Sequence, residues 1–204
     1  MNLTMQLNEL FDFVASRRNF VRGSVAGGSI ALATASTLSH AFAQQLTDVD
    51  ILQFALTLEH LEANMYAAML AANILTGKEK TYFTSFGGHE AAHVKAITDT
   101  LTKLGATPVQ ANAKYNFPAF NSREAILNFA KIAEDIGVGA YQGAAAAITN
   151  KDILAAAGSI VQVEARHAAI VNLLLGINPP VPQATTASLT IDEVKAKVGP
   201  ILGS

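Results

Sequence analysis

Glu90-Ala91-Ala92-His93 and Glu164-Ala165-Arg166-His167 share one spacing, a carboxylate and an imidazole three residues apart. Each is preceded by a lone glutamate with a tyrosine seven residues further on: Glu59 with Tyr66, and Glu134 with Tyr141. The Glu/Tyr pair recurs after 75 residues and the Glu/His pair after 74, a near-constant offset that chance does not readily produce. Residues three apart share one face of a helix, so each Glu/His pair can aim both heads at one point. Four carboxylates and two imidazoles projected inward from four helices are the donor set that a pair of iron or manganese ions needs.

Four helices are predicted around these residues. Thr47 with Asp50 marks the first start, and the apolar pattern runs to about residue 73 before Thr76-Gly77 breaks it. The second helix spans about 79–104 and stops at Gly105. The third begins near Asn121 or Ser122 and runs to about 149; Asn150 caps the fourth, which ends at Gly176 ahead of Pro179-Pro180. Helices of about 26 residues are roughly 40 Å long at 1.5 Å per residue. Short links make antiparallel hairpins of the first and last pairs. The 17-residue link 105–121, with Pro108 and Pro118, can traverse the bundle at about 3.3 Å per residue. The expected fold is all-α, an up-down four-helix bundle with one long crossover between its second and third helices. Beyond it, 177–188 reads as a Pro/Thr/Ala-rich linker, and Thr190 with Glu193 as a capping box opening a short C-terminal helix that ends near Gly199-Pro200.

Helical angles put the acids inside. On the first helix Gln53, Thr57, His60 and Asn64 form one polar strip, which marks His60 as solvated rather than ligating. Glu59 and Tyr66 fall at the edge of the apolar arc, and Glu62 near its centre among Ile51, Phe54, Leu58, Met65 and Met69. Glu90 lies among Phe83, Phe86, Val94, Ile97 and Leu101. An unpaired charge in such a position costs several kcal/mol. Two divalent cations neutralise four glutamates in full, whereas a metal-free core would need a separate rescue for each acid. Asp135, about 100° from Glu134 around the helix, faces outward.

Composition narrows the function classes. The chain has 204 residues, half of them hydrophobic, with a net charge of −2 and no cysteine. No basic surface speaks for nucleic acid. The lack of cysteine removes iron–sulfur clusters, thiolate zinc sites and thiol catalysis. Residues 1–43 read as a leader. Ser16-Arg17-Arg18-Asn19-Phe20-Val21-Arg22 resembles a twin-arginine export signal, a weakly apolar stretch follows from Gly23 to about Leu38, and Ala41-Phe42-Ala43 suits signal peptidase. The apolar run is too short and hydroxyl-rich to span a bilayer. The expectation is periplasmic or otherwise exported protein with no stable membrane insertion after cleavage, divided into leader 1–43, bundle 44–176, and linker with C-terminal helix 177–204. The mature part keeps eleven basic and fourteen acidic residues.

Across about residues 47–176 the chain resembles the ferritin-like superfamily, and within it exported, desiccation-related ferritin-like proteins, whose first helix looks like Leu58-Glu59-His60-Leu61-Glu62. The resemblance implies that Glu90 and Glu164 bridge two metal ions, that His93 and His167 each bind one, and that Glu59 and Glu134 cap the site. It makes Tyr66 and Tyr141 the groups that orient carboxylates through hydrogen bonds. It further implies two divalent ions, iron foremost or manganese, and O₂ or peroxide as the small-molecule substrate of ferroxidase, peroxidase or catalase-like chemistry, with homo-oligomers possible in such a family. Departures limit the carry-over. Glu62 is an extra acid whose counterpart in the second copy is Gly137, and it could be a shifting ligand, a proton carrier, or the terminal ligand in place of Glu59. Ala91 stands where haem-binding relatives carry methionine, and no cysteine module supplies electrons.

Two other function classes stay in view. His89-Glu90-Ala91-Ala92-His93 matches the HExxH pattern of zinc proteases, although Val163 breaks the pattern in the second copy. A non-catalytic bundle that sequesters metal or protects other proteins under drying or oxidative stress would use the same ligands. Gly137, Gly139 and Gly143 lower the helicity of the third helix and are expected to allow close approach of a neighbouring helix.

Overall fold

The computed structural model describes residues 46–203; the leader read at 1–43 lies outside the described residues. Five helices follow one another: α1 (Asp48–Ala71), α2 (Gly77–Lys103), α3 (Arg123–Ala145), α4 (Lys151–Leu174) and α5 (Ile191–Leu202). The described residues contain no strand, so the all-α expectation holds. α1 packs on α2 and α3 on α4 as hairpins, and the hairpins meet through α1 with α3 and α2 with α4. No helix among the described residues is long and apolar enough to cross a membrane.

The ends are set by local chemistry. The Thr47 hydroxyl accepts from Asp50 N, and the Asp50 carboxylate accepts from Thr47 N in return, which satisfies two orphan donors of the first turn. Ser122 Oγ accepts from Ala125 N, and Asn150 Oδ1 from Asp152 N and Ile153 N. α2 closes at Gly105, whose φ of +77° suits glycine. α3 ends at Ala145, about four residues before the sequence pattern fades. Asp48 explains the early stop: its carboxylate accepts from Thr149 N, Thr149 Oγ1 and Asn150 N at 2.8–2.9 Å, holding the turn in a non-helical form.

The crossover runs along the polar strip of α1. Gln53 Nε2 donates to Thr107 O and Gln53 Oε1 accepts from Val109 N, at 2.8 and 2.9 Å. His60, expected in solvent, is instead half-buried with Nε2 3.2 Å from Val109 O. Its role is to tie down the crossover.

Two of the α3 glycines, Gly139 and Gly143, serve a different neighbour from the one expected. A Cβ on Gly143 would lie 1.8 Å from Leu189 O, and one on Gly139 would lie 2.6 Å from the Leu189 side chain. No helix sits there. The segment after α4 passes over this groove, and Leu189 N donates to Gly139 O at 2.9 Å. α5 then docks by burying Val194 and Val198, and Asn116 N donates to Ile201 O at 2.7 Å.

Two apolar clusters divide the bundle core. One joins Met65, Tyr66, Met69, Phe83, Phe86 and Ile126 with their neighbours; the other joins Leu52, Leu56, Ile97, Leu101, Ile153 and Ile160. Between them, at the middle of every bundle helix, lie the buried acids.

Candidate metal centre

Glu59, Glu90, Glu134 and Glu164 are all wholly buried, and His167 and His93 are 1% and 9% exposed. α1 supplies Glu59, α2 Glu90 and His93, α3 Glu134, and α4 Glu164 with His167. The i, i+3 pairs on α2 and α4 put carboxylate and imidazole on the same inward face. All six residues converge at one level of the bundle.

The convergence forms two overlapping groups. Glu59, Glu90, His93 and Glu164 bring one donor atom each within 4.8 Å of the others, and so do Glu90, Glu134, Glu164 and His167. Glu90 and Glu164 belong to both. His93 Nδ1 lies 3.1 Å from Glu59 Oε2, Glu90 Oε2 and Glu164 Oε1. His167 Nδ1 lies 3.0 Å from Glu90 Oε1 and 3.5 Å from Glu134 Oε1. A ring nitrogen carries at most one hydrogen and can serve only one of these oxygens. Accordingly Glu90 Oε1, Glu134 Oε2, both Glu164 oxygens and His167 Nδ1 are buried without completing a hydrogen bond. Donor atoms that crowd together and leave one another unsatisfied fit a cation at the centre of each group. Carboxylate and imidazole donors suit iron and manganese, and they would accept zinc.

The two tyrosines link the halves crosswise. Tyr66 OH donates to Glu134 Oε1, and Tyr141 OH donates to Glu59 Oε1. Each phenol therefore orients the glutamate of the other repeat, not the one on its own helix. Burial, followed by the nearby carboxylates, pushes both phenols well above their usual range, so both stay protonated and able to donate.

Burial and the opposing charges of the cage set its protonation. Burial lifts Glu59 and Glu164 to about 8 each, against the opposing pull of His93. Glu134 is raised by burial as well. For Glu90 burial acts upward, but the imidazoles of His167 and His93 beside it prevail and hold it at about 2. Burial acts against charge on His93 and His167 too, and the surrounding carboxylates overcome it, raising them to about 12 and about 10. Such a site gives up protons when it takes up metal.

Glu62 is buried but falls in neither group. Burial and the neighbouring carboxylates, Glu164 first, push it well above the ordinary range. It faces Gly137 across the bundle: a Cβ there would lie 3.0 Å from Glu62 Oε1 and 3.6 Å from Glu164 Oε2. The missing acid of the second repeat is thus the space that the extra acid of the first repeat occupies.

His89 is the residue that sequence reasoning missed. Its Nδ1 lies 2.8 Å from His167 Nε2, and the two rings are nearly parallel, with centroids 5.1 Å apart and 6° between planes. Neither candidate group contains it, so the arrangement a zinc protease needs, both histidines on one ion, is not formed. If His167 Nδ1 offers its lone pair to a metal, its Nε2 must carry the hydrogen, and His89 Nδ1 accepts it. On the far side His89 Nε2 lies 3.4 Å from Ser85 Oγ. The signal was present only as a histidine next to a ligand; nothing local says that α4 brings His167 to it.

A sequence model of the ferritin-like domain matches residues 47–177. Among solved structures, a conserved hypothetical protein from Mycobacterium tuberculosis superposes with a TM-score of 0.59 and 20% identity, covering 70% of this chain and 96% of that one. No curated protein matches.

Proposed function

The chain belongs to the ferritin-like domain family, and from that footing we propose that it holds a dinuclear iron or manganese centre and uses it for O₂- or peroxide-dependent oxidation outside the cytoplasm. The observation that carries this reading is the pair of four-donor groups sharing Glu90 and Glu164. A centre of this kind supplies electrons to an oxidant by changing oxidation state. The protein's share is to hold charge and geometry. Glu90 and Glu164 would bridge, His93 and Glu59 would complete one ion, and His167 and Glu134 the other. Four ionised glutamates balance two divalent ions. Tyr66 and Tyr141 keep Glu134 and Glu59 in position, and His89 fixes the tautomer of His167. Glu62 stays outside this set as a buried acid able to hold a proton beside it. The leader motif at 16–22 supports export of the folded, loaded protein.

Metal analysis of the full chain purified from its native compartment, with optical spectra before and after peroxide, tests the proposal. The expected result is two iron or manganese ions per chain with a spectrum that responds to the oxidant. One zinc per chain, lost on His89→Ala, would overturn it. So would a protein without metal whose properties are indifferent to His93→Ala and His167→Ala.

A further inference from the structure

An apolar cavity of about 60 Å³ lies in the bundle core between the carboxylate cage and the end where α1 and α4 begin. All four bundle helices wall it, with Phe54 and Leu58 from α1, Ile97 from α2, Tyr141 from α3 and Ile160 from α4. Its volume is several times the ~10–15 Å³ that a single water needs. The lining reaches the surface at Ala96 of α2 and Ala156 of α4, both exposed. At its inner end stands Tyr141, whose hydroxyl touches Glu59.

The chemistry of the walls selects the occupant. Only two lining side chains carry a polar atom, and both are committed: Thr100 Oγ1 donates to Ala96 O at 2.8 Å, and Tyr141 OH to Glu59. A buried water needs two to four polar partners, and an apolar cavity without them stays dry. Peroxide, a stronger hydrogen-bonding molecule still, is disfavoured for the same reason. A small uncharged apolar molecule loses nothing on entering and gains contact with every wall.

We propose that this cavity is a binding chamber for dioxygen, leading from the α2–α4 groove to the tyrosine beside Glu59. The proposal rests on the reading of the cage as a redox metal centre, and it selects oxygen over peroxide as the oxidant that this end of the bundle delivers. Small side chains do the work. Ala96, Ala156 and Ala157 leave room that a larger residue would fill, and Tyr141 separates the chamber from the acids without filling it.

Xenon is the probe, because it matches the apolar chemistry and needs no metal. The metal-free full chain is titrated with xenon and followed by ¹²⁹Xe NMR, alongside the filling variants Ala157→Leu and Ala144→Val, whose folding is checked by thermal melts. A saturable xenon shift in the wild type, lost in either folded variant, is the expected result. In iron-loaded protein the same variants raise the oxygen concentration for half-maximal reoxidation severalfold and leave oxidation by peroxide unchanged. Absence of saturable xenon binding, or an equal effect of filling on oxygen and peroxide, overturns the chamber. Saturable xenon binding in a protein that takes up no metal overturns the metal reading, and with it the assignment of the occupant as oxygen.

Discussion

Removing one phenolic hydroxyl should weaken one metal ion and spare the other. Tyr66 is fully buried with its ring edge-on to Phe83 and Phe86 at 5.3 and 5.7 Å, so Tyr66→Phe keeps the packing and deletes only the donor to Glu134. Tyr141→Phe deletes the donor to Glu59 in the same way. A hydrogen bond to a charged group contributes about 1.5–3 kcal/mol, and each ~1.4 kcal/mol is tenfold in affinity. Each variant should therefore lose about 10- to 100-fold in affinity for one ion, the range typical of groups that orient ligands. Because the bonds cross, Tyr141→Phe weakens the ion at Glu59 and His93, and Tyr66→Phe the ion at Glu134 and His167. Metal titration against a competing chelator, fitted to two sites, reads both constants. Combining Tyr141→Phe with His93→Ala should add little at the site already weakened, whereas combining it with His167→Ala should damage both. Equal loss at both sites in each single variant, or none in either, would refute the crosswise assignment.

His89→Ala should lower metal affinity about 10- to 100-fold through His167, and His89→Asn, which keeps an acceptor, should recover part of the loss in the same titration. Gly143→Ala should release the C-terminal segment, since its Cβ would lie 1.8 Å from Leu189 O. The gain of about 1 kcal/mol in helix propensity is outweighed by the uncovering of Val194 and Val198, at roughly 1.5–3 kcal/mol each; limited proteolysis should cut near 177–190 while the metal count holds. Metal-free protein should melt at lower temperature as pH rises. Glu59 and Glu164 add stability that is complete below the usual 4.5 and is lost as pH climbs through about 8. His93 and His167 act in the same direction, from 6.5 up to about 12 and about 10. Metal-loaded protein should show the reverse dependence, because metal binding competes with those protons. Melting curves taken with and without metal across that range check the sign.

The helices and the six convergent donors were legible because their signals are local. The i, i+3 spacing of Glu90 with His93 and of Glu164 with His167 is a property of one helix, and so are the caps at Thr47, Ser122 and Asn150. What escaped is contact between distant elements. His89 meets His167 only because α2 and α4 are neighbours. The phenols cross to the opposite repeat for the same kind of reason: a tyrosine seven residues after a glutamate reaches beyond its own helix. Gly139 and Gly143 announced a close approach, but a segment of the tail fills the place expected for a helix. His60 on a polar strip looked solvated because periodicity cannot tell water from a backbone carbonyl such as that of Val109.

The shared glutamates have a mechanical consequence. Each donor group takes three residues from one hairpin and a single carboxylate from the other: Glu164 joins the α1–α2 set, and Glu90 joins the α3–α4 set. Ions bound there would staple the hairpins along their common seam. Stripping them should loosen that seam before any helix frays. Hydrogen exchange on chelation should quicken first at mid-helix amides facing the opposite hairpin, the reverse of ordinary unravelling from the ends.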